Sequence, residues 1–199
     1  MTATLIDGKA VAEQINIENA AEVARLKSIH NLTPGLAVIL VGDNPASASY
    51  VASKDKMCAR LGLHSERVNL PAGTTQAELV SRINDLNFNR AVHGILVQSP
   101  LPVHIDEGAI FGEVDPTKDV DGFHPLNVGK LALGDSSGFE PCTPAGIHQL
   151  LIRSGVMIEG AHVVVVGRSR IVGRPISLML SQKAPNANAT VTVCHSRSA

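Results

Sequence analysis

Tyr50 and Lys54 stand four residues apart in a stretch that reads as helix, Ser47-Ala-Ser-Tyr-Val-Ala-Ser-Lys54. Residues i and i+4 share a helix face, so a phenol and an ammonium group can address one pocket. Ser47 lies further back on the same face. A lysine in apolar surroundings gives up its charge more readily and can act as a base near neutral pH. An exposed Tyr/Lys pair on a helix surface is the plain alternative. Gln98 closes the apolar run His93-Gly-Ile-Leu-Val-Gln98. Its amide would emerge at the C-terminal edge of a parallel sheet, where ligands bind, or else cap nearby backbone. Asp119 and Asp121 lie in Asp119-Val-Asp-Gly-Phe-His124. A carboxylate there can accept two hydrogen bonds from an amino-pyrimidinone ring, or serve as a turn residue, Asp121 being followed by glycine.

A second constellation lies further along. Val163 to Val166 run into Gly167-Arg-Ser-Arg-Ile-Val-Gly173-Arg-Pro175, which reads as strand, glycine turn and helix. Glycines let backbone approach a diphosphate, and the helix start is expected to present free N–H groups and a positive dipole end to it. The spacing is neither G-x-G-x-x-G nor a Walker A loop. A tight turn whose glycines only solve backbone geometry is therefore the alternative. In a dinucleotide fold the end of the next strand meets the adenine ribose, where a carboxylate favours NAD. Here that strand ends Cys194-His-Ser-Arg-Ser198 without one. Arg168 and Arg197 can both reach a 2′-phosphate, which guanidinium suits. This favours NADP over NAD, with solvated arginines as the alternative.

The elements that must carry these residues alternate. Gly8 to His30 reads as one long helix, its apolar residues recurring at helical spacing. Leu36 to Gly42 is an apolar run of the kind found in strands buried on both faces. Asp43-Asn44-Pro45 breaks the chain, and Ser47 to Leu61 is a helix closed by Gly62. His64 to Leu70 is a strand, Thr75 to Leu86 a helix with a threonine cap, and His93 to Gln98 a strand. The turn Ser99-Pro-Leu-Pro102 and a short helix, Ile105 to Phe111, follow. Asp115 to Pro144 shows no clear period and reads as a long functional loop. Thr143 to Ser154 is a helix capped by Thr143 or the residue before it, with Pro144 in its first turn. Ala161 to Gly167 is a strand, Val172 to Gln182 a helix and Ala189 to Cys194 a last strand. Such alternation predicts an α/β fold with a mostly parallel sheet.

Composition limits the function classes. The formal net charge of the 199 residues is −1, with no block of like charge, so no nucleic-acid footprint is expected. Aromatic residues make up 3% and tryptophan is absent, which argues against base-stacking surfaces. Cys58, Cys142 and Cys194 have no metal-ligand spacing and read as small apolar residues. The N-terminus lacks a signal-peptide pattern, and no apolar run suits a bilayer. A soluble cytoplasmic protein without nucleic-acid or membrane partners is expected.

In order, Val41-Gly-Asp-Asn-Pro-Ala-Ser47, Tyr50-Val-Ala-Ser-Lys54, Gly94-Ile-Leu-Val-Gln98, Lys118-Asp-Val-Asp-Gly-Phe-His124, Pro141-Cys-Thr-Pro144, Gly167-Arg-Ser169 with Val172-Gly-Arg-Pro175, and Thr190-Val-Thr-Val-Cys-His-Ser196 resemble the bifunctional methylenetetrahydrofolate dehydrogenase/methenyltetrahydrofolate cyclohydrolase family. The resemblance spans nearly the whole chain. It implies an N-terminal α/β catalytic and folate-binding domain over residues 1–142, with a mostly parallel sheet. The first part of a Rossmann-like NADP-binding domain over 143–199 follows. It also implies a homodimer with folate in the cleft between domains. The activity implied is oxidation of 5,10-methylenetetrahydrofolate with NADP, then hydrolysis of the methenyl product to 10-formyltetrahydrofolate.

By the same resemblance Lys54 is the general acid/base at the one-carbon bridge. Tyr50 packs over the folate, Gln98 bonds Lys54, and Asp121 anchors the pterin ring. Ser47, Pro100 and Leu101 contribute to the substrate site. Gly167, Arg168, Ser169, Val172, Gly173 and Pro175 hold the cofactor, with His195, Ser196 and Arg197 near its 2′-phosphate. Three positions depart from the family pattern. Ser99 replaces the usual leucine of Val-Gln-Leu-Pro-Leu-Pro, which is expected to change a packing contact. Ala184 to Asn188 lengthens the link before the last strand, and Ser198 replaces a threonine. A strand-turn-helix-strand unit is half of a nucleotide-binding sheet, so the rest of that domain, with the family's Pro-Gly-Gly-Val-Gly-Pro motif, is expected beyond Ala199. Two other readings are an NADP-dependent dehydrogenase of another small substrate, which leaves Tyr50, Lys54, Gln98 and Asp121 unexplained, and a non-catalytic fragment that binds folate or a partner chain.

Overall fold

The computed structural model describes residues 3–198. They fall into two compact units, Gln14–Val120 and a second formed by the chain up to Glu13 together with Asp121 onward. Helix α1, Gly8–His30, occupies the whole stretch read as one helix. The Asp7 carboxylate accepts from the N–H groups of Lys9 and Ala10 at its start, and Lys27 and His30 sit in its last turn, where cations suit the helix dipole.

In the first unit, β1 (Gly35–Val41), β2 (His64–Leu70) and β3 (Gly94–Val97) form a parallel sheet in the order β2-β1-β3. Ile39 pairs with Val68 on one side and Val97 on the other. Side chains alternate along a strand, so the central strand feeds two cores. Ala37, Ile39 and Val41 pack with Leu79 and Ile83 of α3 (Gln76–Phe88) and Ile110 of α4 (Glu107–Phe111). Val38 and Leu40 pack with Val51 of α2 (Pro45–Leu61). This two-sided burial is why the strand reads as an unbroken apolar run. Thr75 caps α3 through both halves of a capping box, its hydroxyl accepting from Glu78 N–H and the Glu78 carboxylate accepting from Thr75 N–H at 2.8 Å.

In the second unit, β4 (His162–Val166) and β5 (Thr190–Cys194) pair in parallel, Val166 opposite Cys194. One face packs through Val163, Val165 and Val191 onto Ile176 and Leu180 of α7 (Gly173–Ser181) and Leu151 of α6 (Cys142–Arg153). The other face, with Val164 and Val166, is exposed.

The long loop expected from Asp115 to Pro144 is not all loop. It contains α5, Pro125–Leu133, capped by the His124 ring nitrogen, which accepts from Leu126 N–H, and closed by Gly134 at φ 74°. The helix escapes a periodicity reading because its apolar residues Leu126, Val128 and Leu133 face outward, while Asn127 and Leu131 are the buried ones. The expected cap of α6 is also corrected. The N-cap is Pro141, which has no side-chain cap bond, so neither Thr143 nor Cys142 plays that part. Pro144 does sit in the first turn, where its missing N–H costs no helix bond.

Candidate functional site

Lys54 lies on α2, half-buried. Its Nζ donates to Gln98 Oε1 at 3.0 Å. Gln98 follows the last residue of β3 and continues the ladder, its N–H donating to the Ile39 carbonyl. The strand thus delivers the amide to the C-terminal edge of the sheet. Two features orient α2. Asn44 accepts from the N–H groups of Ala46 and Ser47 at its start. Asp55 accepts from the Ser65 hydroxyl of β2 at 2.7 Å, with Arg67 beside it at 3.8 Å. Ser47 is 4% exposed and Tyr50 64% exposed, so one turn of helix carries both an embedded hydroxyl and a solvent-facing ring. Cys58, further along α2, is buried, and burial pushes its thiol above the usual range.

The loop after Gln98 is firmly held. Gln98 Nε2 donates to the Ser99 carbonyl at 2.7 Å, and the Ser99–Pro100 bond is cis. The Ser99 hydroxyl donates to Glu107 Oε1 at 2.5 Å, and the same oxygen accepts from Leu101 N–H at 3.4 Å. Ser99 therefore makes a polar link to α4, not only the changed packing contact expected of it. Glu107 escaped the sequence reading, because a glutamate in the first turn of a helix looks like an ordinary dipole partner. Lys118 was also passed over. Its Nζ donates to the carbonyls of Leu86, Asn87 and Asn89 at 2.8–3.1 Å, tying off the C-terminal end of α3. Asp119 is buried and bridges to Ile95 beside β3. Asp121 belongs to the other compact unit. There Gly122, at φ 66°, lies so close to the backbone of Phe139, Glu140 and Pro141 that a Cβ would collide with it.

The cofactor candidates share one end of the β4–β5 pair. Gly167 N–H donates to the Cys194 carbonyl at 2.7 Å, which sets the turn Gly167-Arg168-Ser169 beside the turn His195-Ser196-Arg197. Arg168, Arg197 and Ser196 are exposed. The His195 ring nitrogen accepts from Arg197 N–H, and His195 N–H donates to the Ser198 hydroxyl. Gly167 has φ 131°, and a Cβ on Gly173 would sit on the Gly167 carbonyl. Both glycines are thus required by the turn itself. Pro175 is buried in the first turn of α7 and Val172 precedes that helix.

The expectation of free N–H groups at the start of α7 needs correction. Ser169 Oγ accepts from Val172 and Gly173, the Ser169 carbonyl accepts from Arg174, and Pro175 has no N–H to give. For an anion the turn offers the dipole end of α7 and exposed guanidinium groups, those of Arg168 and Arg197 among them.

The model of the tetrahydrofolate dehydrogenase/cyclohydrolase catalytic domain matches residues 6–121, and that of the NAD(P)-binding domain of the same enzymes matches residues 141–199. The "Bifunctional protein FolD" of Dehalococcoides mccartyi is 54% identical over 196 residues, which cover 98% of this chain and 66% of that protein. Its counterpart in Syntrophobacter fumaroxidans is 53% identical over 197 residues, covering 99% and 66%. The chain thus spans just under two thirds of these relatives. The crystal structure of the bifunctional FolD enzyme of Campylobacter jejuni superposes with a TM-score of 0.94 at 50% identity, over 98% of this chain and 67% of that one. The Trypanosoma brucei enzyme, solved with NADP and an inhibitor, gives 0.91 at 41% identity, over 100% and 66%. The chain belongs to the tetrahydrofolate dehydrogenase/cyclohydrolase family.

Proposed function

We propose that this chain serves an NADP-dependent methylenetetrahydrofolate dehydrogenase that is also a methenyltetrahydrofolate cyclohydrolase. The observation that carries the reading is the Lys54–Gln98 bond of 3.0 Å at the C-terminal edge of the sheet. It fixes an amine with proton-transfer chemistry where ligands of such folds bind.

In hydrolysis, water adds to the cationic methenyl carbon and loses a proton to the Lys54 amine. That proton then passes to ring N5 as its bond to carbon breaks, leaving the formyl group on N10 and one proton released overall. Gln98 keeps the amine in register through its carbonyl end. Tyr50, Ser47, Pro100 and Leu101 are assigned to substrate binding, and Asp121 to the amino-pyrimidinone end of the folate. Gln98, Tyr50 and Asp121 stand with Lys54 as the catalytic group.

The residues at the end of β4 and β5 fit NADP. Exposed arginines, Arg168 and Arg197 among them, and no carboxylate flank Gly167 and His195, which suits a 2′-phosphate. Gly167, Arg168, Ser169, Val172, Gly173 and Pro175 would hold the dinucleotide, with His195, Ser196 and Arg197 near the phosphate. When bound, NADP accepts the hydride that the methylene carbon gives up. Residues 1–142 are proposed as the folate-binding catalytic part and 143–199 as the start of the nucleotide-binding part. The family resemblance supports a homodimer working in the cytoplasm.

The test uses the full-length protein with 5,10-methylenetetrahydrofolate and NADP, following NADPH and methenyl absorbance. Turnover is expected. Lys54→Ala should lower methenyl hydrolysis by about 10²–10⁴-fold, the usual worth of a positioned acid/base, with NADP affinity nearly intact. A folded full-length protein without turnover would overturn the reading.

A further inference from the structure

A glutamine amide has two unlike ends, one that accepts and one that donates. Only the carbonyl end can receive a hydrogen from Lys54, and the NH₂ end would face the ammonium with like partial charge. The orientation of the Gln98 amide is therefore a functional variable, and the fold constrains it at both ends. Oε1 accepts from Lys54 Nζ, while Nε2 donates to the Ser99 carbonyl at 2.7 Å. The position of that carbonyl depends on the loop from 99 to 101. One carboxylate oxygen, Glu107 Oε1, takes both the Ser99 hydroxyl and the Leu101 N–H, bracketing the loop from either side of Pro100.

Glu107 is itself well anchored. It is the first residue of α4, whose cap Asp106 accepts from Gly108 and Ala109. Asp106 N–H donates to Gln76 Oε1 at 3.0 Å, and the His104 ring pairs with the Thr74 carbonyl at 2.9 Å. Hydrogen bonds, joined through the backbone of α4 and of Ser99, thus connect the start of α3 to the amine on α2. We propose that Glu107, acting through Ser99, is a positioning residue that fixes which end of the Gln98 amide faces Lys54. The proposal rests on the reading of Lys54 as the proton carrier.

The full-length enzyme is compared with Glu107→Ala, Glu107→Gln and Gln98→Ala. Glu107→Ala should lower kcat for methenyl hydrolysis about ten-fold, as loss of a charge-assisted bond suggests, with KM and NADP affinity unchanged. Glu107→Gln keeps an acceptor oxygen and should recover most of the loss. In the Gln98→Ala background Glu107→Ala should cost nothing further, because the two residues act in series. An equal cost in both backgrounds, or an unchanged kcat, would overturn the proposal. The NMR signal of the Gln98 side-chain amide, identified by its disappearance in Gln98→Ala, decides the matter without turnover. It should shift in Glu107→Ala and return in Glu107→Gln, and an unmoved signal refutes the positioning role. An inactive wild type with that shift would instead sink the folate reading alone.

Discussion

Arg168 and Arg197 illustrate how much a single side chain can decide. They stand on neighbouring turns joined by the bond from Gly167 N–H to the Cys194 carbonyl. A guanidinium group can address a phosphate in a planar, bidentate way that a ribose hydroxyl cannot reward equally. Replacing both with alanine should therefore weaken NADP binding about 10²-fold while NAD binding changes little, as two lost charge-assisted contacts suggest. Titration with the two cofactors side by side checks this, and equal weakening would refute the 2′-phosphate assignment. Residue types alone brought Tyr50 and Lys54 together, because helical spacing is local. They left Gln98 undecided between a ligand contact and a backbone cap. In the structure the amide meets the Lys54 side chain with one end and the Ser99 backbone carbonyl with the other. Glu107 was illegible because its partner Ser99 lies eight residues away across a loop whose path no periodicity reveals.

At the level of elements, sequence and structure agree best where local signals agree with one another. Helix α3 has a threonine cap, a glutamate three residues on and an amphipathic body, and it begins where that pattern says. Thr75→Ala should cost about 1 kcal/mol of stability, the common price of a lost N-cap, read from urea unfolding. The Glu78 carboxylate is held below its usual range, first by Thr75 N–H and then by the Thr75 hydroxyl. A lowered native value means stabilisation that is complete above the unfolded glutamate range, near about pH 4.3. That stabilisation is lost as pH falls through the lower native value. The stability gap between wild type and Glu78→Gln should accordingly be present at neutral pH and close in acid. Helix α5 was missed for the opposite reason, since its outward apolar residues contradict the pattern on which periodicity depends. At α7 the strand-turn-helix shape was legible, but the use of its first N–H groups was not. Ser169 turns back on the helix and takes two of them, a local choice that spacing leaves open.

For the molecule as a whole, the alternation of strands and helices was enough to predict an α/β fold with parallel pairing, and both sheets are parallel. Among the described residues, no helix is long and apolar enough to cross a membrane. The formal net charge of −1 is counted with eight neutral histidines. The sequence isoelectric point is about 6.7, so the net charge passes through zero close to neutrality. Solubility should reach its minimum between about pH 6 and 7 and rise on either side, which precipitation by polyethylene glycol across pH will show. A minimum far from neutrality would mean that the formal count misjudges the ionised surface.

Lys118 gathers three peptide oxygens from the stretch that leads into β3. An ammonium group meets such a demand because its three hydrogens spread as a tripod about one rotatable bond. Arginine carries the same charge but spreads its hydrogens in a flat fan. Conservative replacement there would leave at least one oxygen stranded, so position 118 admits one cationic residue and not the other.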